Sequence, residues 1–334
     1  MRRNNAMRHT SEFLRLAVAA ALLTTGGLGG CSQYKDPRVP EPIRPFIEPE
    51  HGGKYLMYRP SGYDRRLAWP VVVVCHGGFP DSANAQIRAW TELAEANGFL
   101  VLAPELHSSG TAVGRDAAGQ LALIHGDERH ILAALHHLRA GHHLSEDRVF
   151  LYGWADGAPA ALHTGLRNPH VFRAIAVAQP KFHEGWLADA DEPIDHHQPL
   201  LVHYAVTDFL QDHAGSKLSD WLRRHGARVQ ESSAGPVRRT DCRGIVDWIE
   251  DVLRREPWAV IRVLPAAADP REVRFRLQVS HAPSRYRWSF GDGDESTVAE
   301  PVHTYAAPGA YRVVVDVEDA HGQEHRRTLD LTVN

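Results

Sequence analysis

The feature that most constrains the fold is a series of short apolar runs that alternate with helical patterns. Val71–Val74 is apolar and β-branched throughout, which is typical of a strand buried on both faces. Apolar residues at helical spacing follow within 85–96, and Asn97-Gly98 predicts the end of that helix. The alternation continues to about residue 254, which indicates βαβ units built around a parallel sheet.

The remaining elements of this region follow from the same two patterns. Further strands are predicted at 99–102, 149–152, 174–178 and 200–204. Further helices are predicted at 127–139, from about 157, at 218–224 and at 245–253.

The period of the pattern changes at Glu256-Pro257. Apolar and polar residues then alternate strictly in 273–279, 311–317 and 329–333, with turn residues between the runs. This pattern predicts an antiparallel β-sandwich of about 80 residues. A chain of 334 residues is long enough for two domains, and we expect them at 54–255 and 256–334.

Composition excludes several classes of protein. The 37 Lys and Arg against 41 Asp and Glu give a formal charge of −4, which leaves no electrostatic footprint for nucleic acid. Three cysteines exclude a disulfide scaffold. No apolar run reaches the roughly 20 residues that a membrane-spanning helix needs.

The N-terminus is typical of an export signal. A basic segment precedes a short apolar stretch at 16–23. Leu28-Gly29-Gly30-Cys31 then resembles the lipobox of bacterial lipoproteins, which implies cleavage after residue 30 and acylation of Cys31. Several acyl chains on Cys31 would anchor the protein to a lipid membrane. The alternative is an ordinary secretory signal with a chance cysteine.

The segment 31–53 is interpreted as a proline-rich linker. Five prolines between residues 37 and 49 predict an extended, semi-rigid spacer that lifts the body of the protein off a membrane. Ser32 does not resemble the aspartate signal for retention in the inner membrane. We therefore expect a lipid-anchored protein of the cell envelope, on the outer membrane.

Residues 54–254 resemble the α/β-hydrolase fold, in particular the polyhydroxybutyrate depolymerase and feruloyl esterase group. The resemblance implies a doubly wound, mostly parallel sheet and a serine esterase. It also implies an oxyanion hole at His76-Gly77-Gly78, where glycines let backbone N–H groups approach a developing negative charge; the alternative is a tight turn. The segments that match this family are Tyr58 to Tyr63, Val74 to Gly78, Asn97 to Glu105, Asp147 to Gly153 and Asn168 to Phe172.

The nucleophile position departs from the family pattern. The family has G-x-S-x-G on a sharp strand-to-helix turn, whereas this chain has Gly153-Trp154-Ala155-Asp156-Gly157. An alanine offers no nucleophile, and losing the serine of such a triad lowers turnover by about 10⁶-fold. Asp156 then stands at the residue whose N–H completes the oxyanion hole, and its carboxylate would repel an oxyanion.

Of the other two triad members that the resemblance implies, the acid is present and the histidine is missing. Asp208 matches the position of the acid. The loop that holds the family's histidine, 235–243, contains no histidine, and His213 and His225 come too early. Because two of the three members are missing together, the sequence favours a retired catalytic site.

Two functions therefore compete. The first is a non-catalytic lipoprotein that binds carbohydrate, an ester polymer or another envelope protein through the old cleft. The second is an active carboxylic-ester hydrolase with a rearranged nucleophile, for which Ser108, Ser109 and Asp156 are the candidates. Ala155 and the histidine-free loop favour the first.

The 22 histidines include adjacent pairs, namely 136–137, 142–143 and 196–197. Neighbouring side chains point in different directions, so such pairs rarely chelate one ion. We predict neither a metal nor a cofactor. Cys75 and Cys242 are expected to lie in regions that approach each other, and either a disulfide or two separate thiols is compatible with an exported protein.

The C-terminal region resembles the PKD (polycystic kidney disease) domain, an immunoglobulin-like sandwich. The resemblance implies a spacer or adhesion module without a catalytic role. Trp288 and Phe290 share a strand face and should pack in the core, while Gly291-Asp292-Gly293 should turn the chain. Asp292, Asp294 and Glu295 are candidates for a Ca²⁺ site, with ordinary acidic turn residues as the alternative. The segments that match the PKD domain are Tyr286 to Gly293, Val302 to Tyr305 and Pro308 to Tyr311.

Overall fold

The chain divides into two compact units, Met1–Val252 and Leu253–Asn334, three residues before the predicted boundary. In this computed structural model, the residues described are 42–110, 116–190, 194–195, 198–205, 214–233, 237–255, 259–264, 269, 271–279, 283–319 and 324–333.

The first unit is built on a sheet of eight strands in the spatial order β1-β2-β4-β3-β5-β6-β7-β8. The first two strands run antiparallel to their neighbours, and all other neighbouring pairs are parallel. The mostly parallel sheet predicted from the apolar runs is therefore confirmed. The strands are β1 (Arg44–Ile47), β2 (Lys54–Tyr58), β3 (Trp69–Cys75), β4 (Leu100–Pro104), β5 (Leu144–Trp154), β6 (Ala174–Ala178), β7 (Leu200–Tyr204) and β8 (Val229–Ser233).

Helices cover both faces of this sheet, as expected of a doubly wound fold. One face packs on α2, α3 and α4. On the other face Trp90 of α1 contacts Tyr152 and Phe99, with ring centroids 5.0 and 6.2 Å away. The helices are α1 (Ala83–Asn97), α2 (Ala117–Gly141), α3 (Ala158–Arg167), α4 (Ala214–Arg224) and α5 (Arg243–Arg255), with 3-10 turns at Ala155–Gly157 and Glu184–Trp186.

Helix α1 ends where Asn97-Gly98 predicts, and it begins at an N-cap that the sequence patterns did not indicate. The Ser82 side chain accepts the N–H of Ala85 and caps the helix, and Gly98 ends it in the left-handed conformation at φ +73°. Val71 to Val74 are fully buried, which explains why the strand needs an unbroken apolar run.

The linker predicted over 31–53 ends earlier than expected. Strand β1 pairs with β2 at the edge of the sheet, and the Glu48 carboxylate after it is fully buried and accepts the N–H groups of Glu50, His51 and Gly53. Pro45 is tolerated because an edge strand does not need every backbone donor. The residues from Arg44 onward therefore belong to the folded unit.

The carboxyl ends of β3 and β5 mark the place where the winding of the sheet reverses. Strand β4 lies on one side of β3 and the later strands follow on the other. In open α/β sheets, ligands bind outside the carboxyl ends of the strands at this switch point. The loops after Cys75 and Trp154 therefore define the place to look for a site.

The second unit consists of a three-stranded and a four-stranded antiparallel sheet. Trp288 and Phe290 are buried in its core together with Phe275 and Tyr305, which confirms the predicted packing of the strand pattern. The strands are β9 (Ala259–Leu264), β10 (Glu272–Val279), β11 (Pro283–Ser289), β12 (Glu295–Ser296), β13 (Val302–Thr304), β14 (Gly309–Asp319) and β15 (Glu324–Val333).

Among the residues that the structure describes, no helix is long and apolar enough to cross a membrane.

Candidate functional site: a cleft at the strand-to-helix elbow

The turn between β5 and α3 has the backbone of a nucleophile elbow. Strand β5 ends at Trp154, a single 3-10 turn follows, and α3 begins at Ala158. Ala155 has φ +48°, a conformation that residues other than glycine rarely adopt. A strained residue at the tip of a strand-to-helix turn is the geometry that exposes the nucleophile in hydrolases of this fold.

Gly157 allows the loop after β3 to approach this turn closely. A Cβ atom at Gly157 would lie 2.4 Å from the carbonyl oxygen of His76 and 2.6 Å from that of Cys75. No real Cβ tolerates such contacts with backbone atoms. The glycine of the motif is therefore retained for packing, whatever the chemistry of the site.

The side chain at the tip of the elbow is the methyl group of Ala155. It lies next to the loop after β3, since a Cβ at Gly77 would be 3.4 Å from the Ala155 Cβ. The carbonyl of Ala155 accepts the backbone N–H of Lys181 at 3.3 Å. A methyl group has neither a nucleophilic atom nor a proton to transfer, so this position can only bind or exclude. Asp208, the predicted acid, lies outside the described residues.

The Asp156 carboxylate lies against the backbone donor that the resemblance assigns to the oxyanion hole. The Gly78 N–H donates to its Oδ2 at 3.3 Å, and Lys181 Nζ is 2.6 Å from its Oδ1. A carboxylate in this place competes with any oxyanion for the same donor and repels it. Lys181 holds the carboxylate there by a charge-assisted contact.

An ion pair joins the elbow to the loop in which the family's histidine is expected. Arg239 pairs with Asp81, and Asp81 accepts the indole N–H of Trp154 at 3.0 Å. Arg239 thus extends from the loop toward the elbow, but a guanidinium stays protonated and cannot serve as a general base. The part of this loop before residue 237 lies outside the described residues.

His76 does not supply a base either. Its Nε2 accepts the N–H of Leu106 at 2.9 Å, so its Nδ1 carries the proton and donates to the carbonyl of Gly77 at 2.7 Å. Both ring nitrogens are used, and the side chain is buried. His76 therefore fixes the conformation of the loop after β3.

The structure also describes the surroundings of three other candidate nucleophiles and bases, Ser108, Ser109 and His225. The Ser109 hydroxyl donates to the carbonyl of His76 at 2.5 Å, and Ser108 is buried. The His225 ring packs on Trp221 with centroids 4.1 Å apart, and its Nδ1 contacts the carbonyl of Trp221 at 2.7 Å. His213 lies outside the described residues. None of these described contacts forms a nucleophile–base pair with the elbow.

Cys75 and Cys242 are both free and buried, so the structure has two separate thiols rather than a disulfide. Burial raises the pKa of each thiol, that of Cys242 to about 12. The Cys242 thiol donates to the carbonyl of Arg239 at 3.1 Å and so helps to hold the loop that carries this arginine. Neither thiol is ionised near neutral pH, which excludes both as nucleophiles.

Histidines form one cluster that the sequence patterns did not indicate. The pairs behave as separate surface groups where described: His136 contacts Glu50, and His142 contacts Tyr63. By contrast, His125 and His163 meet Asp189, although they are 38 residues apart and lie on different helices. No spacing rule within one element could have indicated this contact.

The acidic turn of the second unit has a partner that the sequence did not predict. His303 Nε2 lies 2.6 Å from Asp292 Oδ2, and Asp294 is close to both. Glu295 lies outside this group, on β12. Of the three Ca²⁺ candidates, only Asp292 and Asp294 belong to this group, and its third member is a histidine, whose nitrogen Ca²⁺ does not prefer.

Comparisons with known proteins agree with this division of the chain. The PKD domain family matches residues 254–333. Collagenase ColA of Bacillus cereus is 44% identical over 48 residues, which are 14% of this chain and 5% of the collagenase. The chain thus spans about a twentieth of the length of the curated relative that it matches.

Solved structures resemble the first unit. A protein assigned as a dipeptidyl aminopeptidase IV from Bacteroides ovatus has a TM-score of 0.50 and 12% identity, covering 64% of this chain and 36% of its own. A ferulic acid esterase from Anaeromyces mucronatus has a TM-score of 0.47 and 14% identity, covering 65% and 92%. At these identities the likeness concerns the fold and carries no argument about the reaction. The chain therefore joins a unit of the α/β-hydrolase fold to a C-terminal PKD domain.

Proposed function

We propose that the hydrolase-like unit binds a ligand or partner in the cleft at the elbow without hydrolysing it, and that the PKD domain acts as a spacer or adhesion module. The observation that carries this proposal is the position of the Asp156 carboxylate, against the Gly78 N–H and held by Lys181. An esterase needs this donor for the oxyanion of its tetrahedral intermediate.

Two further features support the same reading. Ala155 keeps the backbone of the elbow while lacking the nucleophile. Arg239 and Asp81 form an ion pair where a histidine would have to reach the elbow. Because each feature removes a different requirement of ester hydrolysis, restoring one of them alone should not restore turnover.

The test is hydrolysis of short-chain p-nitrophenyl esters by the purified protein. We expect no turnover above that of a heat-denatured sample. Turnover in the unmodified protein would overturn the proposal in favour of an active ester hydrolase. Ser108→Ala, Ser109→Ala and Asp156→Asn would then identify which of the alternative nucleophiles is responsible.

Three variants that restore catalytic residues test whether the missing triad alone, or also the blocked oxyanion donor, prevents turnover. Ala155→Ser alone and Ala155→Ser/Thr240→His should stay inactive, since Asp156 still competes for the Gly78 N–H. Adding Asp156→Gly to the double variant frees that donor and should give measurable turnover. Activity in Ala155→Ser alone would contradict the role assigned to Asp156.

We also propose that the protein is a lipoprotein of the cell envelope, anchored by acylated Cys31 in the outer membrane rather than the inner membrane. The basic and apolar segments before Cys31 support this, although residues 1–41 lie outside the described residues. Metabolic labelling with a fatty-acid analogue should mark the native chain and Cys242→Ser but not Cys31→Ser. Equal labelling of both cysteine variants would contradict lipidation at Cys31.

The ligand classes compatible with the proposal are carbohydrate, an ester polymer and another envelope protein. They differ in which part of the chain should bind. A polymer or carbohydrate held in the cleft should be lost in Arg239→Ala or Lys181→Ala, whereas adhesion through the PKD domain should be unaffected by both changes. Pull-down on insoluble polyester and polysaccharide with these two variants distinguishes the cases.

A further inference from the structure

A cluster of two imidazoles and a carboxylate lies between α2, α3 and the segment after β6. His125 Nε2 is 2.8 Å from Asp189 Oδ2, and His163 Nε2 is 2.8 Å from Asp189 Oδ1. The three ligand atoms all lie within 4.8 Å of one another. One ion at about 2.1 Å from each atom fits this spacing after a small outward movement.

The His163 imidazole is buried between two carboxylates. Its side chain is fully buried, with Nε2 toward Asp189 and Nδ1 3.1 Å from Glu128 Oε2. Carboxylates accept hydrogen bonds, and a neutral imidazole has only one N–H to donate. Its Nδ1 has no hydrogen-bond partner among the described residues, although a carboxylate lies on each side of the ring. The buried side chain cannot turn to water for a partner.

The arrangement around His163 is that of a metal ligand with its supporting group. Histidines that bind metals commonly donate their other N–H to a carboxylate, which fixes the tautomer and the ring orientation. Glu128 Oε2 lies 3.1 Å from His163 Nδ1, outside hydrogen-bond geometry, and a small shift would let this nitrogen donate to it. Glu128 is itself held by Asn168 Nδ2 at 2.9 Å. The second imidazole, His125, approaches the same Asp189 carboxylate from the other side.

We propose that His125, His163 and Asp189 bind a divalent transition-metal ion, with Zn²⁺ the best match. Two imidazole nitrogens and one carboxylate oxygen are a donor set that zinc accepts. Asp189 binds through one oxygen, while the other keeps its contact with Arg167 Nη1, 3.1 Å away. The side chains of His125 and Asp189 are each 37% exposed, so a fourth position remains open to water.

Such an ion would fasten the segment after β6 to two helices. This segment begins near Lys181, which holds the Asp156 carboxylate at the elbow, and it reaches Asp189 after the 3-10 turn at Glu184–Trp186. The metal site is thus separate from the cleft but fixes the chain that supports it. It does not depend on whether the cleft is catalytic.

The experiment is a zinc titration of the full chain after removal of bound metal with a chelator. Isothermal titration calorimetry with ZnCl₂ and metal analysis by mass spectrometry give affinity and stoichiometry. The variants are His125→Ala and Asp189→Asn, both at half-exposed side chains that should tolerate the change. His136→Ala is the matched control, because His136 is an exposed histidine of the same helix that contacts Glu50.

We expect the native chain and His136→Ala to bind one zinc ion. The two site variants, His125→Ala and Asp189→Asn, should bind zinc at least about 10-fold more weakly. Zinc should raise the melting temperature of the native chain and of His136→Ala only. Histidine-rich surfaces also bind zinc weakly, but all four proteins share that background. No zinc bound by the native chain, or equal binding in all four proteins, would overturn the proposal.

Discussion

The elbow at Gly153–Gly157 and the turn at Trp288–Gly293 are both short motifs punctuated by glycine, yet they differ in what they preserve. In the PKD domain the two aromatic side chains of the motif have the role that their type predicts, since Trp288 and Phe290 fill the core, and Asp292 lies in the turn. In the elbow the backbone is preserved at Ala155 and Gly157, but the side chains for catalysis are not.

The difference shows that packing and chemistry constrain a motif separately. Gly157 lies against two backbone carbonyls and Gly291, at φ +85°, lies against the backbone of Arg312, so neither can change without moving main chain. The side chain at the tip of the elbow is only the methyl group of Ala155, and the backbone of the elbow is kept without a reactive group. A glycine pattern therefore indicates a fold reliably and an activity only when the reactive residue is present.

Replacement of Trp288 by alanine should give the largest effect. The indole is fully buried, and its N–H donates to the carbonyl of Val298 at 2.9 Å, so we expect the PKD domain to lose about 4 kcal/mol of unfolding free energy. Trp154→Ala is the matched control at the half-buried elbow and should cost about 2 kcal/mol or less. Calorimetry that resolves the two units measures both losses of unfolding free energy. Equal losses would contradict the difference in packing between the two motifs.

Gly157→Ala should destabilise the first unit by about 3 kcal/mol, because the added Cβ meets the carbonyls of His76 and Cys75. The φ of Gly157 is −81°, so the effect is one of space and not of backbone conformation. Gly244→Ala, where a Cβ meets nothing within 4 Å, should be neutral or slightly stabilising. Urea denaturation compares the two; a tolerated Gly157→Ala would mean that the loops separate easily.

Ala155→Gly should stabilise the first unit by about 1 kcal/mol. Glycine adopts the φ of +48° without the penalty that alanine has there, and this gain exceeds its larger loss of backbone entropy. Ala160→Gly, in the interior of α3, should have the opposite sign and a similar size. The same denaturation series tests both, and destabilisation by Ala155→Gly would contradict stored strain at the elbow.

The smallest effect concerns the pH dependence of the PKD domain. Burial alone would raise the pKa of Asp292, but the hydrogen bond from His303 and backbone donors lower it below its usual value. A carboxyl with a lowered pKa in the folded state contributes stability above its unfolded pKa, near 4, and loses it as pH falls through the folded pKa. Asp292→Asn should flatten this acid-side decline in unfolding free energy; an unchanged profile would show that the contact with His303 is not coupled to folding.

Local patterns predicted most of the first unit because they report burial directly. The apolar runs predicted the central strands, and Asn97-Gly98 ends α1 as expected. Three outer strands of the sheet were missed, namely the two edge strands β1 and β8 and the strand β2 next to β1. In β8 the residues are half-buried or exposed, and in β1 a proline breaks the strand signal, so neither shows an apolar run.

Residue identity alone predicted part of the candidate site. The alanine at the nucleophile position, Ala155, and the absence of a histidine from the loop 235–243 are visible in the sequence. The contact of Asp156 with the Gly78 N–H and the pairing of Arg239 with Asp81, 158 residues apart, depend on how loops from different strands meet. No pattern within one element contains that information.

Periodicity and residue chemistry are local properties, so the two-unit architecture, the glycines of both motifs and the missing nucleophile follow from the order of residues alone. What fills the oxyanion position, the separation of the Cys75 and Cys242 thiols and the meeting of His125, His163 and Asp189 follow only from the folded chain. These outcomes depend on distances between residues far apart in the chain, which the packing of helices on the sheet sets.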